Sequence, residues 1–168
     1  MKLIFSTIRF LLIGTCCTAA APAPRTKQNP LVYRNPKYGI AFTLPKPWQG
    51  YTVVQEKWDA SLQPSSDGSK PLRTEHGPII TLRNPHWTKK HPTQDIPILI
   101  FTRQQWKWEH DGKLFPYAGG ILYELGHNQK YVLAIYSRFD AHELEGWEEA
   151  GRIVSDNLAK TKHRLYQQ

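Results

Sequence analysis

Apolar and polar positions alternate with a period of two along much of the chain. In Tyr38–Leu44, Tyr38, Ile40, Phe42 and Leu44 face one way and small residues the other, which predicts a half-buried strand. Pro45-Lys46-Pro47 ends it, because proline cannot donate to a ladder. Further strands are predicted at Tyr51–Trp58, Pro78–Arg83 and Ile96–Phe101, the last being the most apolar run after the leader and a candidate central strand. Ile121–Leu125 and Lys130–Tyr136 flank the polar turn 126–129 and predict a hairpin. Two segments carry the helical period instead. Thr102 can cap a short helix from Arg103 to Glu109 or His110, stopped by Asp111-Gly112. Asp140 and Glu143 form a capping-box variant ahead of a helix over 143–159. Its expected apolar stripe is Leu144, Trp147, Ala150/Gly151, Val154 and Leu158, with acids at its start and bases at its end as the helix dipole favours. Residues 61–77 and 84–95 read as loops.

Strands joined by short turns with helices kept apart indicate an α+β fold. The expectation is a mostly antiparallel, twisted β-sheet of about five to seven strands flanked by helices, with the long C-terminal helix packed on it. Residues 1–20 read as a signal peptide: Lys2 and Arg9, then the apolar run Phe10–Ile13, then small residues through Ala21. That run is shorter than the roughly 20 residues that span a bilayer, and no longer one follows, so no transmembrane span is expected. Residues 21–32, rich in Ala, Pro, Asn, Lys and Arg, read as a flexible linker within a tether reaching to about residue 37. Residues 33–168 read as a single domain.

Both cysteines, Cys16 and Cys17, lie in the leader. Either they leave with it, or one becomes the lipidated first residue of a membrane-tethered protein. Ile13 suits the lipidation pattern and Thr15 does not. In both cases no disulfide staples the domain. Loss of the leader removes Lys2 and Arg9 from the 22 basic side chains and none of the 14 acids, so the formal charge of +8 becomes +6. The bases are spread rather than clustered, which argues against nucleic acid as a partner. The partners expected are an envelope protein or an anionic or saccharide polymer, in the periplasm or outside the cell.

The segment Tyr38-Gly39-Ile40-Ala41-Phe42-Thr43-Leu44-Pro45-Lys46-Pro47-Trp48 resembles the opening strand of the PsbP/Mog1-like superfamily, whose domains are antiparallel sheets flanked by helices. The strand at 130–136 followed by the helix at 143–159 has the same closing order. Residues 33–159 also resemble a family of exported bacterial proteins of unknown function. The resemblance rests on Trp48-Gln49-Gly50-Tyr51, Gly77-Pro78-Ile79-Ile80, Asn84-Pro85-His86-Trp87, Gln94-Asp95-Ile96-Pro97-Ile98 and Phe101-Thr102-Arg103-Gln104-Gln105-Trp106. The superfamily resemblance implies the fold above and a non-enzymatic binding or assembly role. It carries over no partner and no binding residue.

Several groupings suggest chemistry. His86, His91 and Asp95 fall in one loop and are weak candidates for a divalent metal; a solvated polar loop is the alternative. His142-Glu143 begins a zinc-protease motif, but position 146 is Gly where the second His belongs. Glu109-His110-Asp111 offers acid–base groups, or simply a polar helix end. Gly119-Gly120 lacks the Lys-Ser/Thr of a phosphate loop and suits a bend before a strand. No serine nucleophile elbow occurs and no thiol outlives the leader.

Trp87 with Lys89 and Lys90, and Trp106 with Lys107 and Trp108, set indoles beside cations, a pairing that suits sugars, lipid interfaces and anionic groups. Trp87, Lys89, Lys90, Trp106 and Trp108 are therefore the binding candidates, and Trp48, Trp58 and Trp147 the candidates for the core or its rim. The expected function is an exported, non-catalytic binding or accessory module of the cell envelope, with no cofactor. Two alternatives stand beside it. One is a metal-dependent or acid–base hydrolase in which His86, His91, Asp95 and His110 converge. The other is a lipid-anchored envelope assembly factor.

Overall fold

A computed structural model describes residues 30–63, 73–116, 120–139 and 144–165, with side chains to residue 159. The chain order is β1 (Leu31–Asn35), β2 (Ile40–Leu44), a 3-10 turn (Lys46–Trp48), β3 (Thr52–Leu62), β4 (Arg73–Arg83), β5 (Ile96–Thr102), α1 (Arg103–His110), β6 (Leu114–Pro116), β7 (Leu122–His127), β8 (Tyr131–Tyr136) and α2 (Trp147–Leu165). The fold is α+β: a curled antiparallel sheet with two helices, the C-terminal one packed on the sheet. Six strands run in the order β6–β3–β4–β5–β8–β7, every neighbouring pair antiparallel. β1 and β2 form a separate hairpin. No helix among the described residues is long and apolar enough to cross a membrane.

β5 lies inside the sheet and is buried on both faces. Ile96, Ile98 and Ile100 join the core under α2 and the β1–β2 hairpin; Leu99 and Phe101 join a second core under α1. Pro97 pairs opposite Thr81 of β4, ahead of Leu99 where β8 begins to pair with β5. A missing donor is tolerated at such a strand start.

The hairpin corrects the reading of residues 20–37 as a tether. β1 begins at Leu31, inside the stretch read as linker, and pairs Tyr33 with Phe42. Its mixed sequence hides the pattern, since Leu31, Tyr33 and Asn35 share the inner face and only Tyr33 is fully buried. Gly39 closes the turn at φ +70, and a Cβ there would sit 2.5 Å from Asn128 Nδ2, which donates to Tyr38 O. β3 and β4 also run further than expected and take up both ends of the 61–77 loop. Residues 64–72 lie outside the described residues, as do the leader with Cys16 and Cys17, Gly119, and Asp140 with His142 and Glu143.

α1 starts where expected. Thr102 Oγ1 accepts from Gln105 N–H (3.2 Å) and Gln105 Oε1 accepts from Thr102 N–H (3.0 Å), a reciprocal cap. α2 starts four residues later than expected. Gly146 sits in left-handed backbone (φ +85), so the helix begins at Trp147 and Leu144 is left exposed. The buried stripe is Ala150, Ile153, Val154 and Asn157. Trp147 is thus a half-buried first residue at the core rim rather than the centre of the stripe, a correction to its place in that stripe. Trp48 and Trp58 are in the core, 1 % and 4 % exposed.

Candidate functional site

The loop at 84–95 is built from its own polar side chains. Asp95 accepts from Asn84 N–H (2.9 Å) and from Arg83 Nε (3.1 Å). Asn84, itself buried, accepts from His86 N–H with its side chain (2.9 Å). Gln94, also buried, donates from Nε2 to Phe139 O (2.8 Å), while its N–H donates to Glu145 O (2.8 Å). The Arg83 guanidinium lies 4.0 Å over the Trp87 ring. Thr88 and His91 exchange backbone bonds, so Lys89 and Lys90 form an exposed turn tip.

These contacts give the loop's residues structural work. Both Asp95 oxygens are occupied, His86 and His91 are exposed, and no group of three His, Cys, Asp or Glu among the described residues is placed to hold a metal. The loop enters β5 at Ile96 and α1 leaves it at Thr102, roughly 20 Å of strand away. His86, His91 and Asp95 thus lie at the Ile96 end of β5, while His110 ends the helix that leaves its Thr102 end.

The second aromatic–cation cluster closes a core. Trp106 packs on Phe101 (5.5 Å between centroids) and on His110 (4.6 Å), Arg73 lies 5.3 Å over Trp108, and both indoles are half-buried. Glu109 pairs with His110 (2.8 Å) and Asp111 with Lys107 (2.9 Å). The hydrogen bond from Lys107 holds the Asp111 carboxyl below its ordinary range. Burial, then the charge of Glu109, pushes the Tyr136 phenol above its own.

The open chemistry lies along α2, which has a groove on each flank. The first, about 890 Å³, lies between α2 and the β1–β2 hairpin. Its floor is Pro30, Leu31, Val32, Leu44 and Ile153; its rim carries Lys46, Glu149, Arg152 and Asp156. None of these four charged side chains makes an ion pair or hydrogen bond among the described residues. Asn157 sets the spacing of the groove. Its Oδ1 accepts from Thr43 N–H (2.9 Å), and its Nδ2 donates to Thr43 O (2.9 Å) and Ile153 O (2.8 Å). The amide thereby occupies the edge of β2 as a neighbouring strand would.

The second groove, about 590 Å³, lies between α2 and β7–β8. Tyr123, Phe139, Trp147, Val154 and Leu158 line it, with Glu148, Arg152 and Asp156 along the helix. Arg152 and Asp156 border both grooves, so the exposed ridge of α2 divides them.

The groove residues escaped sequence reasoning because the walls come from segments about a hundred residues apart. One signal was available: Asn157 is a polar residue at an apolar-stripe position, three after Val154. No known protein family, curated protein or solved structure matches the chain.

Proposed function

We propose that the chain is an exported, non-catalytic binding or accessory module of the bacterial cell envelope, and that its ligand occupies the groove between α2 and the β1–β2 hairpin. The observation that carries this reading is the groove's construction: an apolar floor ringed by four charges of both signs that no described residue neutralises. Unpaired charges at the rim of an apolar pocket are what fix the orientation of an amphipathic ligand. The volume falls within the roughly 300–1,000 Å³ usual for small-molecule sites. The ligand class is a molecule with an apolar body and both an anionic and a cationic group. The reading of residues 1–20 as a signal peptide, the PsbP/Mog1-like resemblance of residues 38–48 and the resemblance of residues 33–159 to exported bacterial proteins favour the same proposal.

The test is native mass spectrometry of the protein purified from its own envelope fraction, beside Val32→Lys, which puts a long cation into the groove. A non-covalent adduct of constant mass, retained by the wild type and lost from the variant, is the expected result. Bare protein in every preparation, with no rise in Tm across a panel of zwitterionic amphiphiles, overturns the reading. The covalent mass of the same sample reads the fate of Cys16 and Cys17: a diacyl or triacyl mass makes the protein membrane-tethered, and a start near Ala20 does not.

A further inference from the structure

We infer that the outer edge of β7, with the aromatic groove beside it, takes up an extended peptide segment of a partner protein as an added strand. β7 ends the sheet, and its only strand neighbour among the described residues is β8. Ser137 N–H donates to Ile121 O at 2.7 Å, and Tyr123 pairs with Ile135 two steps on. Hydrogen-bonded pairs alternate along an antiparallel ladder, so Ile121 and Tyr123 turn their amides toward β8, while Leu122 and Glu124 turn theirs outward. No described residue takes up those outward N–H and C=O groups.

The molecule contains its own control. β3 also has an open flank, since β6 pairs only with Ala60–Leu62. That flank carries Glu56, Lys57 and Asp59, charges of the kind that discourage strand addition. The β7 edge instead presents Ile121, 67 % exposed, and Tyr123, 50 % exposed.

Side chains select the occupant. Tyr123 pairs with Ile135, whose side chain is in the core beneath α2, so Tyr123 faces the α2 side. A strand added outside β7 sends alternate side chains to that side, into the groove of Phe139, Trp147 and Leu158. The bulge between Glu124 and Gly126 interrupts the ladder and leaves only a short edge before it. Before that bulge only Leu122 and Glu124 turn backbone groups outward, enough for a short segment and few for a whole second chain. The occupant is therefore a peptide segment rather than a second copy of the chain. Glu148 and Asp156 outnumber Arg152 in that groove, which favours a segment with basic residues between its apolar ones.

The test has two parts. In the free, full-length protein the Leu122 and Glu124 amides should exchange with solvent faster than the Tyr123 amide; slow exchange at both overturns the open edge. A phage-displayed library of random dodecapeptides is then panned on the same protein. Enriched peptides should alternate apolar with polar or basic residues. They should weaken at least about tenfold on N-methylation of alternate backbone nitrogens and on Tyr123→Lys, a loss of about 1.4 kcal/mol. Val32→Lys, across the α2 ridge, should leave their affinity unchanged. No enrichment over blank beads, or binding that survives N-methylation, overturns the proposal.

Discussion

Trp58 and Trp48 are both buried, on opposite faces of the same sheet, and their indole nitrogens differ. Trp58 Nε1 donates to Ile100 O at 2.9 Å, and its ring stacks on Phe101 at 4.5 Å between centroids. The ring lies so close over Gly77 that a Cβ there would come within 2.5 Å of it. Trp48 Nε1 has no partner among the described residues. The difference extends across each face. Beneath α1, Gln105 reaches Glu75 (3.0 Å) and His76 O (3.2 Å), and Lys107 and Glu109 are paired. Beneath α2 the helix meets its neighbours along a narrow stripe, with a groove on each flank and unpaired charges at the rim. An aromatic beside a cation is thus a poor guide to a site when both have internal partners. The groups left without partners mark where a ligand gains most.

The largest expected effect lies on the closed face. Trp58→Ala removes the stack and the indole hydrogen bond and leaves a cavity, which should cost about 3–5 kcal/mol. Urea unfolding reads this as a lower midpoint at unchanged slope. A loss under about 1 kcal/mol would mean that the α1 face is not close-packed, and the contrast would fail.

Next comes the tie that shapes the open face. Asn157→Leu keeps the volume but leaves Thr43 N–H and C=O without their partners, at about 1–3 kcal/mol. The same variant should loosen the first groove, so the native-mass adduct should weaken beyond what the stability loss explains. An unchanged unfolding midpoint would show that Asn157 does not hold α2 to β2.

How much of this the chain announces depends on whether the signal is local. The period of two located β2, β5 and β8 within a residue or two, and Thr102 gave the start of α1, because each rests on neighbours in sequence. β1 was missed because its pattern shows only once Tyr33 is set against Phe42. The start of α2 was misplaced because Leu144 fits the stripe, while the left-handed Gly146 that breaks it is read as an ordinary small residue. The candidate residues were legible only in part, for a related reason. Trp87, Asp95 and Trp106 stand out in sequence, but their partners Arg83, Asn84 and Phe101 show what they do only in the fold. Lys46 and Arg152 stand out nowhere, and meet only because a hairpin and a helix at opposite ends of the chain pack together.

A smaller effect tests the two tryptophans directly. Trp58→Phe gives up a hydrogen bond to Ile100 O, whereas Trp48→Phe gives up none that the described residues show. Trp58→Phe should therefore cost about 1 kcal/mol more than Trp48→Phe. Equal losses in paired denaturant titrations would mean that the Trp48 indole has found a partner, and the asymmetry of the two faces would shrink accordingly.

The smallest effect concerns charge. Lys107 Nζ donates to both oxygens of Asp111 (2.9 and 3.2 Å), and this bond, ahead of the attraction of the nearby cations, lowers the carboxyl's pKa. A carboxyl whose folded pKa lies below its unfolded value contributes stability above that unfolded value, and the contribution disappears as the pH falls through the folded one. The window is therefore acidic, beginning near 3.8, the ordinary aspartate value, and running downward. The pair is exposed, so salt should shrink the effect. Carboxyl-detected NMR titration should show the Asp111 midpoint rising in Lys107→Met and in high salt, with stability at neutral pH almost unmoved. Asp156, on the α2 rim, lacks such a partner among the described residues. Lys46→Met should therefore weaken the native-mass adduct while leaving the unfolding midpoint almost unmoved. If Lys46→Met instead lowered the unfolding midpoint and left the adduct unchanged, the rim would already be neutralised from within, and the case for an external ligand would lose its main support.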